Sequence, residues 1–560
     1  MAQTGRADAS EPRPMDNPRN ATAGSTPANH RSAVYPGYRR GAVIICLGMV
    51  ASIIVLGLRM PYYNKAASDM VSVYDALLFN SGLPQEFLVY PGLIGRVMLG
   101  LWIKGLHAIG FVPVSRLEQL PVTTNLKEYE AVWQQLVQAG RVLSLEVGIV
   151  CVMTFIALVR RWLGVWQIAI LSGVALAFSS GFALGFRILR PEMMAASLVF
   201  SALLLTLISA GDKSNRRFVM LAAAGFLVAL AILEKVQSII PALAILPLAL
   251  AFGTTGEGKP SSRWEPLVTS ALVVVALLAL WPAAAILGQG IAQMSEGAGS
   301  PYKHLAAGLS GHYQWIVAAG IAGAMIAYAA LWRVPVLETV AAIAAVGFGL
   351  GCGFDLLYLM ASPDAIIAVA NPLEHLQGYS AGSGATILSQ SAGTMVQMLA
   401  AAIGKSLAIH TFVLSPMHRP TLMIEWLAWA GSMIAFRSGR KLLALQIALL
   451  LGCAIGEDAI FSLRQVKVYY LPYSDPPVIL AGALALTQFK DRLMTPSFER
   501  ATLALMIFYV LWGHAQPALA VYGKHDRGKV CGIVTLFTKR ITIPYCNGAP
   551  IPTSRVGFDD

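Results

Sequence analysis

Two aspartates, Asp69 and Asp75, follow the first long apolar run of this chain within the polar stretch RMPYYNKAASDMVSVYDALLFNSGLPQEFLVYPG. A carboxylate at the mouth of a membrane protein can act as a general base, an ion site or a salt-bridge partner. Six residues apart on one helix, the two would point in different directions, so a shared dyad is not expected. For Asp69 two readings stand side by side: a catalytic or ligand role, and a helix N-cap, because Ser-Asp before an apolar run invites capping.

Three further clusters carry charge between apolar runs. In GFRILRPEMMAAS, Arg187, Arg190 and Glu192 fall at a turn where Pro191 suits a helix start. They form either an ion-paired turn or a pair of guanidiniums that hold an anion. In AILEKVQSIIP, Glu234 and Lys235 stand beside hydrocarbon, where charge is costly and is paired or functional. They either neutralise each other or leave Lys235 to grip a lipid phosphate. In EDAIFSLRQVKVYYLPYSDPP, Arg464 and Lys467 are three apart and share a face if the segment is helical. Tyr469, Tyr470 and Tyr473 nearby read equally as an interfacial aromatic belt. His375, in NPLEHLQGYSAGSG, is a substrate contact or a plain surface residue.

The elements that must position these groups are membrane helices. The 560 residues are 56% hydrophobic and 12% charged, with mean hydropathy +0.64. That is too little charge to cover a soluble protein of this size. Long apolar runs favour helices over a barrel. About 13 transmembrane helices are expected, near 41–58, 141–159, 165–185, 191–210, 218–234, 237–253, 267–288, 313–331, 336–360, 419–436, 442–459, 472–489 and 501–520.

With the N-terminus inside, each expected inside loop is basic, as the positive-inside rule asks: Arg160 and Arg161, then Lys213 to Arg217, and so on to Arg437–Lys441 and Arg500. The net charge of +12 is therefore a topology signal and not a nucleic-acid stripe. Residues 91–111 and 387–412 would spoil the alternation as spans, so 91–111 is read as an interfacial helix with Arg96, Lys104 and His107 toward head groups, and 387–412 as re-entrant or interfacial. Residues 1–38 read as a disordered cytoplasmic tail, with no removable signal peptide, and 39–520 as one polytopic domain whose first outer loop is 59–140. The tail 521–560 falls outside, where Cys531 and Cys546 could form a disulfide. No internal repeat suggests an inverted-repeat carrier. No Gly-rich phosphate loop or Cys/His metal spacing is present; no cofactor is expected, and a divalent metal has no support.

At these residues the sequence resembles the GT-C superfamily of polytopic glycosyltransferases, in the branch of protein O-mannosyltransferases and the aminoarabinose transferase of lipid A. SDMVSVYDALLFNSGLP and VYPGLIGRVMLGL are similar to its acidic loop with juxtamembrane helices, AGRVLSLEVGIVCVMTFIALVRRWLG to its next span, and LRPEMMAAS to its Pro-acid turn. LVALAILEKVQSIIPAL and RQVKVYYLPYSDPPVIL resemble its carrier-phosphate lysine segment and its late Arg-Tyr-Leu-Pro segment. The family's His-Pro pair is here Tyr90-Pro91, and its paired acids are Asp69-Met70.

The resemblance implies an inverting transferase that moves a sugar from a polyprenyl-phosphate donor to a hydroxyl of a glycolipid, envelope glycan or protein at the outer face of a bacterial inner membrane. Asp69 would be the base. Lys235, Arg464, Arg190 and Lys467 would hold the donor phosphate, with Asp75, Tyr90, Arg187, Glu192, Tyr470 and His375 as substrate contacts. The rival readings are a transporter or flippase of lipid-linked glycans and a non-catalytic scaffold.

Overall fold

The computed structural model describes residues 36–85, 92–121, 125–211, 216–252, 345–346, 349, 392–411, 419–462, 468–489, 500–501, 504–514 and the separate positions 531, 538, 540, 541, 543 and 546. The protein is an all-α, multi-pass membrane protein. Among the described residues, four helices are long and apolar enough to cross a membrane by length and composition: Arg39–Gly57, Leu126–Leu163, Pro191–Ala210 and Lys441–Ser462. The expected spans 267–288 and 313–331 lie outside the described residues, as do residues 1–35 of the expected tail.

Helix α1 (Pro36–Ser52) runs into a π-helical turn, Ile53–Gly57. Helices α2 (Asp69–Asn80) and α3 (Leu93–Ala108) follow in the segment between α1 and the next long helix. Helix α4 (Leu126–Leu163) is 38 residues long, so the span expected at 141–159 begins far earlier. Asn125 caps its start by accepting from the Glu128 N–H, and Gly164 ends it at φ 73°, a left-handed conformation that suits glycine. The extra turns pack against α2 and α3 around Trp133, Leu136 and Ile103. One helix thus joins two apolar clusters, the larger one of the bundle and the smaller one around α2 and α3.

The expected span 165–185 is broken into α5 (Trp166–Ala177) and α6 (Ser180–Gly185), because Ser179 is extended. Helices α7 (Pro191–Gly211), α8 (Arg216–Glu234) and α9 (Ile239–Phe252) agree with expectation to within two residues. Beyond the undescribed stretch come α10 (Ala392–Thr411), α11 (Leu422–Arg437), α12 (Lys441–Ser462), α13 (Leu471–Leu486) and α14 (Ala504–His514). Helix α10 is one unbroken helix packed on α12.

Arg96 also departs from expectation. It points into the fold, where Gln85 and the Asp75 carbonyl accept its N–H groups, and not toward head groups. Lys104 remains exposed. Cys531 and Cys546 are joined by a disulfide.

Candidate functional site

The site is built where α2, α3, α4, α7 and the end of α8 meet. Helix α3 is fixed there by one residue of α8. Gly92 takes φ 51° just before α3, and its N–H donates to the Glu234 carbonyl at 3.1 Å. The next free N–H groups of the helix, on Ile94 and Gly95, both donate to Glu234 Oε2 at 3.0 Å. A helix leaves these first donors without intrahelical partners, and a carboxylate there also meets the positive end of the dipole. The backbone approach is close: a Cβ on Gly95 would stand 2.7 Å from Glu234 Oε1. Glu234 therefore pins α3 to the bundle and does not neutralise its neighbour.

Lys235 turns elsewhere. Its Nζ is 3.0 Å from Glu192 Oε1 in the first turn of α7, and both side chains are buried. Arg190 Nη1 lies 3.8 Å from the same oxygen, and its guanidinium stands 4.0 Å above the ring of Tyr469. The turn 187–192 is thus held by a lysine, a carboxylate and a cation–π contact. Tyr470 stacks on Phe461 at 4.9 Å in the core.

Arg187 diverges from Arg190. It is buried, Nε donates to Ser52 Oγ at 2.9 Å, and burial lowers its pKa to about 9. Its two Nη atoms have no acceptor among the described residues.

A cleft enclosing about 730 Å³ of atom-free space, part of it open to solvent, is walled by Asp75 and Ser72 of α2, Arg96 of α3, Arg190 and Glu234. Two carboxylates and two guanidiniums thus line it. Burial lowers the Arg96 pKa, and the Asp75 carboxylate partly offsets this. Gln85 bridges the two groups: its Oε1 accepts from Arg96 Nη1 at 2.7 Å, and its Nε2 donates to Asp75 Oδ2 at 3.3 Å.

Asp69, the expected base, does not line this cleft. Its exposure is 0%, and it sits in the first turn of α2 behind Ser68, without a side-chain capping bond. Arg141 of α4 donates to Oδ2 through Nε at 3.0 Å and Nη2 at 2.6 Å, while the Leu189 N–H donates to Oδ1 at 2.7 Å. Both oxygens are engaged away from solvent, and through them Asp69 fastens α2 to α4 and to the 187–192 turn. Lys235 is likewise a buried partner of Glu192 and does not line the cleft. Tyr90, His375, Arg464 and Lys467 lie outside the described residues.

Solved structures similar to this chain include an archaeal oligosaccharyltransferase AglB from Archaeoglobus fulgidus in complex with an inhibitory peptide and a dolichol-phosphate. It has 15% identity and a TM-score of 0.47 over 93% of this chain and 61% of that one. The chain thus spans about three fifths of that protein's length. ArnT from Cupriavidus metallidurans bound to undecaprenyl phosphate matches at 16% identity and a TM-score of 0.29, over 88% of this chain and 91% of that one. No family model matches the sequence, and no curated protein matches it.

Sequence reasoning missed Arg141, Arg96, Gln85 and Glu234 as site residues. Arg141 carried a signal, since an arginine at the start of an apolar run requires a counter-charge. Gln85 carried none.

Proposed function

We propose that the protein is a glycosyltransferase that moves a sugar from a polyprenyl-phosphate donor to an acceptor hydroxyl at the non-cytoplasmic face of a bacterial inner membrane. The observation that carries this reading is the cleft itself, which Asp75, Glu234, Arg96 and Arg190 line together.

In the proposed reaction Asp75 accepts the proton of the acceptor hydroxyl as its oxygen bonds to the sugar's anomeric carbon. The bond from that carbon to the phosphate oxygen breaks, and its electron pair leaves on the phosphate. Arg190 stabilises the charge that develops there. Glu192 and Lys235 hold Arg190 in place from behind, and Asp69 with Arg141 holds the turn that carries it. Single displacement at the anomeric carbon gives inversion. The sequence resemblance supports the same donor class.

Incubating purified protein with labelled polyprenyl-phosphate sugars tests this. Carrier phosphate should be released, and Asp75→Asn should lower transfer by about 10²–10⁴-fold, the span for a lost general base. Movement of an intact donor across a bilayer would indicate a transporter. Neither release nor movement would indicate a scaffold.

A further inference from the structure

A general base needs only one hydroxyl before it, yet the Asp75 wall offers more. Arg96 is 6% exposed and lines the cleft. Its Nε donates to the Asp75 carbonyl at 3.3 Å and its Nη1 to Gln85 Oε1, while Nη2 has no acceptor among the described residues. A buried guanidinium nitrogen without an acceptor is unfavourable, because desolvation is not repaid. Gln85 locks the spacing between this donor and the Asp75 carboxylate, since each end of its amide holds one of them. Ser72, one turn before Asp75 on α2, adds a hydroxyl to the same wall.

A fixed donor beside a fixed acceptor matches two neighbouring hydroxyls on one molecule. A single serine or threonine side chain would satisfy only one of them.

We propose that Arg96 is a specificity-determining residue for a sugar acceptor, its Nη2 donating to the hydroxyl next to the one that Asp75 deprotonates. This rests on the transfer reading above and narrows its acceptor to a carbohydrate, free or lipid-linked, in place of a protein side chain. The guanidinium takes no part in bond making. It orients the ring so that the reacting oxygen meets Asp75, and the proton and electron pair move as already described.

The test uses the full-length protein in detergent with undecaprenyl-phosphate-linked hexoses and pentoses as donors. Acceptors are octyl glycosides, their single-deoxy analogues and a Ser/Thr peptide. Wild type should glycosylate an octyl glycoside and lose about tenfold or more in kcat/KM when the neighbouring hydroxyl is deleted, because the site then leaves a buried donor unmet. Arg96→Gln should erase that discrimination, raise KM for the glycoside, and lower the ratio of transfer to hydrolysis of the donor by water by about tenfold.

Preference for the peptide, or equal use of every deoxy analogue by wild type, overturns the proposal. Persistent discrimination in a folded Arg96→Gln protein does so too. If Arg96→Gln fails to fold, the wild-type deoxy series decides alone. Absence of carrier-phosphate release from any donor sinks the transfer reading itself, an outcome distinct from release without sugar selectivity.

Discussion

The pair formed by Asp69 and Arg141 distinguishes a carboxylate that fastens helices from the one proposed as the base. Both side chains have 0% exposure, and Arg141 also donates to the carbonyls of Gly57, Met60 and Pro61, at the end of the π-helical turn and just after it. Arg141→Met leaves the Asp69 carboxylate with only the Leu189 N–H and strands those carbonyls. Removing one partner of a buried ion pair costs about 3–5 kcal/mol. Asp69→Asn keeps an oxygen for Leu189 but sets an amide against a guanidinium, a loss of about 2–4 kcal/mol. Once one partner is gone, losing the second removes an uncompensated charge. The double variant should therefore fall short of the sum by about 2–3 kcal/mol. Unfolding midpoints against SDS fraction in mixed micelles give the four corners of this cycle, with donor turnover measured on the same samples. Additivity within about 0.5 kcal/mol would refute the coupling. Loss of turnover in Asp69→Asn at an unchanged midpoint would make Asp69 the base after all.

Two further outcomes follow from the same geometry. Gly95→Ala should shift Glu234 and loosen α3, because the new Cβ would lie 2.7 Å from Glu234 Oε1; hydrogen exchange at the Ile94 and Gly95 amides should rise while α12 is unchanged. Arg187, in the connection between α6 and α7, has its pKa lowered to about 9 by burial, so the folded state gives up a proton that the unfolded chain still holds. Stability then increases with pH through that value. The stability difference between wild type and Arg187→Gln, taken from pH 8 to 10, should shift in favour of wild type, and a flat or opposite trend would contradict the assignment.

Much of the scaffold was legible in the sequence because apolar runs long enough to cross a bilayer admit few alternatives. The starts of α7, α8 and α9 follow from Pro191, the Arg216–Arg217 pair and the Glu234–Lys235 break. The 38 residues of α4 were not legible, since its first turns are polar on one side and bury Trp133 and Leu136 against helices distant in sequence. The site was half legible. Clusters at the ends of helices mark where charge gathers, but not which partner each charge takes. Glu234 and Lys235 are neighbours that suggest one ion pair, yet the helical turn between them sends one to α3 and the other to α7. Asp69 and Asp75 share a helix, and its rotation alone assigns one to the core and the other to the cleft.

These pairings share a consequence for the wall that carries Arg190. Asp69 accepts from the N–H of Leu189, Glu192 reaches both Arg190 and Lys235, and Tyr469 covers the guanidinium. Tyr469 belongs to the turn that leads into α13, and α13 is held in place by Arg419, which joins Asp475 at 3.2 Å and Asp458 of α12 at 2.8 Å. His410 of α10 adds a further tie, with ring nitrogens 2.8 Å from Glu425 and 3.0 Å from Asp458. Buried ion pairs add little net stability because desolvation offsets attraction, but breaking one is costly, so they restrict a fold to one arrangement more than they strengthen it. The linked pairs run from α10 through α13 to Tyr469, and from α4 through Asp69 to Leu189, reaching Arg190 from both sides. In the proposed transfer, a cation fixed in this way requires no reorganisation when negative charge develops on the leaving phosphate, which is the property electrostatic catalysis demands.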